Sequence, residues 1–154
     1  MTRRRTWLVA GAAAYLLGAL VVGLWPTPVD AGLRGLIARA LGFLHRDGLP
    51  SGFGYAALEF SANILFFVPI GVLVCLLLTP RVQLLAIPIG ALISGSIELS
   101  QLLLLPARFA SWNDILANTS GTVIGVAFVV IIRAIRAARG RRLSSASPAT
   151  SAAR

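Results

Sequence analysis

Apolar positions along this chain gather in long runs, not in short alternating patches. The runs 6–25, 59–78, 82–105 and 114–133 each approach the roughly 20 residues with which an α-helix crosses a hydrocarbon core. Between the first two, Leu33, Leu36, Ile37, Ala40, Leu41 and Leu44 recur at helical spacing, with Arg34, His45 and Arg46 off that stripe. That period predicts a short amphipathic helix over 32–45, lying on the outer leaflet or packed on the bundle top. Residues 1–136 thus read as one all-α membrane domain, a bundle of four transmembrane helices with a short outer amphipathic helix. Residues 137–154 turn basic and then Ser/Ala-rich, the composition of a disordered tail that meets anionic lipid.

Composition agrees with this partition. With 57% apolar and only 12% charged residues, the chain has too little charge to clothe a soluble core of its size. The first run opens on Arg3, Arg4 and Arg5 as a signal peptide would, but its apolar stretch is long and no small-x-small site follows. An uncleaved span is expected. Cys75, the single cysteine, lies in an apolar run, which excludes a disulfide framework or a Cys-rich metal site. His45 is expected to be a solvated surface residue.

The net charge of +9 would suit nucleic acid, but the arginines sit beside the apolar runs, so no nucleic-acid partner is expected. Arg3, Arg4, Arg5, Arg81, Arg133, Arg136, Arg139, Arg141 and Arg142 flank one side of the spans, against Arg34, Arg39, Arg46 and Arg108 on the other. The excess predicts both termini in the cytoplasm, with Trp25, Tyr55 and Trp112 at the outer interface and Trp7 at the inner one.

Against this apolar background a few polar residues stand out. Glu98 lies in the run 82–105 with Gln101 one turn on; Glu59 and Asn63 share a face of the second span, and Asp114 and Asn118 a face of the fourth, followed by Thr119. Each pair falls near the outer end of its helix, with Arg108 in the short loop between the last two spans. An ionised side chain at membrane depth costs about 2.5–3.5 kcal/mol on insertion scales. These residues are therefore expected to face inward and to bond one another, Arg108 or water. Ala91, Ser94, Gly95, Gly121 and Gly125 are the small residues expected to let helix backbones approach around them. The blander alternatives are local: Ser111 and Asp114 as a capping pair, and Glu59 as an interfacial acid. Glu98 has no such alternative, because it caps nothing and lies too deep to reach water.

The segments NILFFVPIG (63–71), SGSIELSQ (94–101) and ARFASWNDILANTSGTVIG (107–125) together resemble the VanZ-like family of bacterial membrane proteins. The shared pattern is Asn-x-x-x-Phe-x-Pro-x-Gly, then Ser-x-x-x-Glu-x-x-Gln, then Arg, Asp and Asn-Thr-x-Gly. Where that family often carries an acidic run before its last helix, this chain keeps only Asp114, which weakens any reading that needs several carboxylates there. The resemblance implies a bacterial cytoplasmic membrane location and a role in the cell envelope. The family's founding member is associated with resistance to the glycopeptide teicoplanin.

Four functions compete for Glu59, Asn63, Glu98, Gln101, Arg108, Asp114, Asn118 and Thr119. The first is a non-catalytic site that binds a lipid-linked envelope precursor or a lipid headgroup. The second is a polar lock that only holds the helices together. The third is an enzyme on a lipid-phosphate substrate, with Glu98 as general acid or base, Asp114 as its partner and Arg108 on the anion. The fourth is a proton-coupled transporter component, which four short helices would complete only as a homodimer. The reading leans away from an enzyme, since no histidine or cysteine joins the cluster, and no metal or cofactor is expected. Membrane lipids are the expected partners.

Overall fold

The computed structural model describes residues 3–27, 31–105 and 111–145. Helix α1 spans Arg3–Gly23, α2 Arg34–Arg46, α3 Tyr55–Leu77, α4 Ala86–Leu104 and α5 Trp112–Ser145. Short 3-10 turns, Ala31–Leu33 and Gln83–Leu85, lead into α2 and α4. Four of these segments are long and apolar enough to cross a membrane: α1, α3, α4 with its leading turn, and α5 through Arg141. The protein is an all-α, multi-pass membrane bundle.

The helix ends differ from the apolar runs for local reasons. Thr79-Pro80 closes α3, since the residue before a proline is pushed out of the helical region. The backbone then turns through Val82 and the 3-10 step before α4 begins at Ala86. Helix α5 runs on to Ser145, into the stretch expected to be disordered. That segment, RAARGRR, is rich in Ala and Arg, which lose little side-chain freedom in a helix, and the helix before it supplies the nucleus that an isolated segment would lack.

Helix α2 keeps the expected amphipathic pattern but has no buried residue. Ile37 and Leu41 are half-buried towards the bundle, whereas Leu33, Leu36, Phe43 and Leu44 are exposed. Its apolar side is thus open, and it does not pack wholly on the bundle top. His45 is half-buried, not simply solvated: its Nε2 lies 3.0 Å from the Phe53 carbonyl and ties the end of α2 to the turn before α3.

Helices α3 and α5 form the tightest pair. On α5, Gly121 faces the Ile64 carbonyl and Gly125 the Val68 carbonyl, while Gly71 of α3 faces the backbone of Thr122. A Cβ at any of the three would collide with backbone, which cannot rotate aside as a side chain can. One Cα hydrogen of each glycine occupies that direction and points at the carbonyl, the arrangement of a weak Cα–H···O contact. Helix α4 closes on α5 where Gly90 meets the Thr122 side chain. Helix α1 lies against α3 through Tyr15, whose hydroxyl donates to the Phe66 carbonyl at 2.9 Å. Ala19, Phe67, Ile70 and Ile97 join α1, α3 and α4 in one buried cluster; Cys75, Ala86, Val126 and Val129 form a second. Trp7 is exposed at one end of the bundle, and Trp25 and Trp112 at the helix ends opposite.

Gly95, expected to aid close approach, has nothing within 4 Å of the position its Cβ would take. The contrast yields a prediction. Gly125→Ala should destabilise the purified protein by about 2–3 kcal/mol, the upper part of the overpacking range, since backbone must move. Gly95→Ala should be neutral or stabilise by up to about 1 kcal/mol. Thermal unfolding of both variants in one detergent is the check.

Candidate functional site

Helical spacing puts Ser94, Glu98 and Gln101 on one face of α4, and Asp114, Asn118 and Thr122 on one face of α5. All but Asp114 are buried. Helix α3 adds Asn63 one turn before Phe67. Asn63 Nδ2 donates to Asp114 Oδ1 at 2.9 Å, joining α3 to α5. One turn deeper, Asn118 Nδ2 donates to Ser94 Oγ at 2.9 Å, joining α5 to α4. Glu98 reaches the start of α5, where its Oε2 accepts the Ser111 backbone N–H at 2.8 Å.

That last bond meets the needs of both partners. The N-terminus of a helix carries unsatisfied N–H groups and partial positive charge, and a carboxylate supplies the complementary acceptor. At 5% exposure the Glu98 side chain is screened from solvent by the helices around it. The Asp114 and Ile115 N–H groups turn back to the Ser111 carbonyl, so Ser111 links Glu98 to the first turn of α5. The Asp114 carboxylate reaches across to Asn63 and so bridges two helices through this oxygen.

Gln101 does something else. Its Nε2 donates at 2.7 Å to the carbonyl of Gly23, the last residue of α1. This satisfies one of the acceptors that a helix C-terminus leaves without a partner, so Gln101 ties α1 to α4. Glu59 is exposed in the first turns of α3 and Thr119 is half-buried on α5. Arg108 lies outside the described residues.

Several hydroxyls are satisfied within their own helices. Ser61, Ser96, Ser100, Ser120 and Thr122 each donate to the carbonyl four residues earlier, the usual provision for a hydroxyl in an apolar medium. Ser94 differs in accepting from Asn118. Sequence reasoning counted Ser94 as a small residue and as the first position of the Ser-x-x-x-Glu-x-x-Gln pattern. It did not set Ser94 among the polar site residues, although its place four residues before Glu98 on one face was a usable signal. Thr122, fully buried four residues after Asn118, was missed on the same spacing. The Ser111 N–H had no such signal, because a backbone donor has no letter of its own.

Among the described residues one buried side-chain polar atom is left over. Asn118 Oδ1 is buried and has no hydrogen-bond partner, on a side chain only 6% exposed. Unpaired buried acceptors are uncommon and each calls for an explanation, such as a water or a bound group. Among the described residues no three His, Cys, Asp or Glu side chains come together as a metal site would need.

The Ser94–Asn118 bond makes the site testable by stability alone. Ser94→Ala removes an acceptor and leaves the Asn118 amide wholly unpaired, at an expected cost of about 1–3 kcal/mol. Ser94→Ala with Asn118→Leu, which removes both polar partners, should recover most of that loss. The check is a double-mutant cycle followed by thermal unfolding.

The chain matches the family model described as VanZ/LLP1 over residues 12–133. The matched segment begins within α1 and ends at Arg133 of α5, so it contains every polar contact described above. No curated protein and no solved structure matches the chain.

Proposed function

Because the chain belongs to the VanZ/LLP1 family, we propose that it acts on the cell envelope of a bacterium by binding a lipid-linked precursor or lipid headgroup at the polar ends of α3, α4 and α5. In this reading both termini are cytoplasmic and the site opens to the outer leaflet of the cytoplasmic membrane. Tolerance to glycopeptides such as teicoplanin is the phenotype to look for. The observation that carries it is the buried Asn118 Oδ1, an acceptor without a donor, one turn below the Asn63–Asp114 bridge. A ligand hydroxyl, amide or ordered water would supply the donor.

A comparison of magnitudes favours binding over a polar lock. The bonds Asn63–Asp114, Asn118–Ser94, Ser111–Glu98 and Gln101–Gly23 each bring about 0.6 kcal/mol on the average for membrane helices. Their sum, about 2.4 kcal/mol, falls short of the roughly 2.5–3.5 kcal/mol that one ionised carboxylate costs at membrane depth. Apolar residues of matching shape would hold the helices at least as well, so the polar set is better explained by what it binds. The lock reading draws on a different fact, namely that all four bonds join separate helices or their ends.

Purified Glu98→Gln protein in detergent separates the two readings. A binding role predicts that the variant melts within a few degrees of wild type. It also predicts that polyprenyl phosphate or lipid II raises the wild-type melting temperature and not that of the variant. At a hundredfold excess over Kd, ligand stabilisation is about 2.7 kcal/mol. A variant that collapses, beside a wild type indifferent to either lipid, would establish Glu98 as a lock.

A further inference from the structure

The end of the bundle opposite the polar site carries a second feature that the proposed function does not use. An open groove of about 580 Å³ runs between the start of α1, the end of α3 and the second half of α5. Its volume lies within the range of about 300–1,000 Å³ typical of small-molecule sites. Leu8, Leu76, Phe128 and Ile132 are among the residues that make its wall apolar, and Arg4, Arg5, Arg133 and Arg136 stand at its charged end. Apolar surface with a cationic rim is the complement of an acyl chain carrying an anionic headgroup.

The arginines are not equivalent. Arg133 is half-buried and already engaged: its guanidinium donates to Gln83 Oε1, to the Cys75 carbonyl at 3.2 Å and to the Leu78 carbonyl at 3.3 Å. It closes the end of α3, where unpaired carbonyls and the negative end of the helix dipole favour a cation. Arg4, Arg5 and Arg136 are exposed, with their heads available to a ligand. Among the described residues no acid lies near them. Asp47, Glu59, Glu98 and Asp114, the acidic residues among those described, all belong to segments at the opposite end.

We infer that this groove binds an anionic glycerophospholipid of the leaflet that the arginine-rich end faces, with its phosphate on Arg4, Arg5 and Arg136 and an acyl chain along the apolar wall. Basic pockets between helices on one membrane face hold such headgroups. The bound lipid would clamp α1 to α5 across the groove. The inference is independent of the polar site at the far end, and each can fail without the other.

The test uses the whole chain in nanodiscs of phosphatidylcholine, with and without phosphatidylglycerol of the same acyl chains. Retained lipid is counted by native mass spectrometry and stability by thermal unfolding. Wild type should retain phosphatidylglycerol selectively and melt higher in its presence. Arg4→Gln with Arg136→Gln should weaken that retention about 30-fold, about 2 kcal/mol for two arginines near the surface, and abolish the shift. Leu8→Trp, which fills the groove and keeps every arginine, should also reduce retention, provided the variant unfolds cooperatively in phosphatidylcholine. Arg139→Gln with Arg141→Gln removes the same charge from α5 outside the groove lining and should leave retention unchanged. Equal loss in the two arginine pairs would mean diffuse attraction to a basic surface and would overturn the proposal, as would full retention in Arg4→Gln with Arg136→Gln.

Discussion

The backbones of α3 and α5 touch, and most of the molecule's functional geometry follows from that contact. Helix axes normally stand 8–10 Å apart because side chains separate them. Where Gly121, Gly125 and Gly71 remove the side chains, carbonyls of one helix can meet Cα hydrogens of the other. In a membrane this matters more than in water. Lipid tails are as apolar as leucine, so association draws on packing and polar contacts instead of hydrophobic burial. The short side chains of Asn63 and Asp114 meet at 2.9 Å because the two helices are already close. Thr122, on the next turn of α5 after Asn118, then fills the space left by Gly90 and brings α4 to the same level.

Polar satisfaction inside an apolar medium shapes what remains. Gln101 closes the C-terminus of α1, Arg133 that of α3, and Glu98 meets the N-terminus of α5. Each places a side chain of suitable charge or dipole at a helix end whose backbone has no partner of its own. Three of the most conspicuous polar residues are thus attached to backbone, and the side-chain pairs Asn63–Asp114 and Asn118–Ser94 lie between them. The molecule is also polarised along its axis. Its described acids gather at one end, and at the other the arginines of α1 and α5 rim a groove.

Much of the fold was legible from the chain alone because membrane spans are written in a coarse code. A run of about 20 apolar residues needs no partner to be recognised, and the amphipathic period of α2 survives although nothing buries it. The end of α5 was not legible in that code. Past Arg133 apolarity ceases but helix propensity does not, so the last turns are decided by Ala and Arg in a helix already nucleated. For the site, the i to i+3 and i to i+4 spacings were enough to put Asn63, Glu98, Asp114 and Asn118 on faces, but not to choose their partners. Gln101 shares a face with Glu98 and yet serves α1, a choice set by where Gly23 ends. Gly95 and Gly121 look alike as letters; only the crossing of helices decides which glycine has a neighbour.

The leftover acceptor on Asn118 sharpens the difference between a scaffold and a binding site. A network selected only to hold helices together would be expected to close on itself, since an open end costs free energy and adds no contact. Here the contact with Ser94 uses the amide nitrogen and leaves the oxygen in a buried position. Asn63 and Asp114, one turn nearer the helix ends, are only partly buried, so a polar group arriving from that side meets them before it meets Asn118. The proposed binding of a polar headgroup rests on this incomplete network beneath a half-open polar pair: donors and acceptors are held in place by the close helix pair, and on that reading a ligand would supply the missing partner.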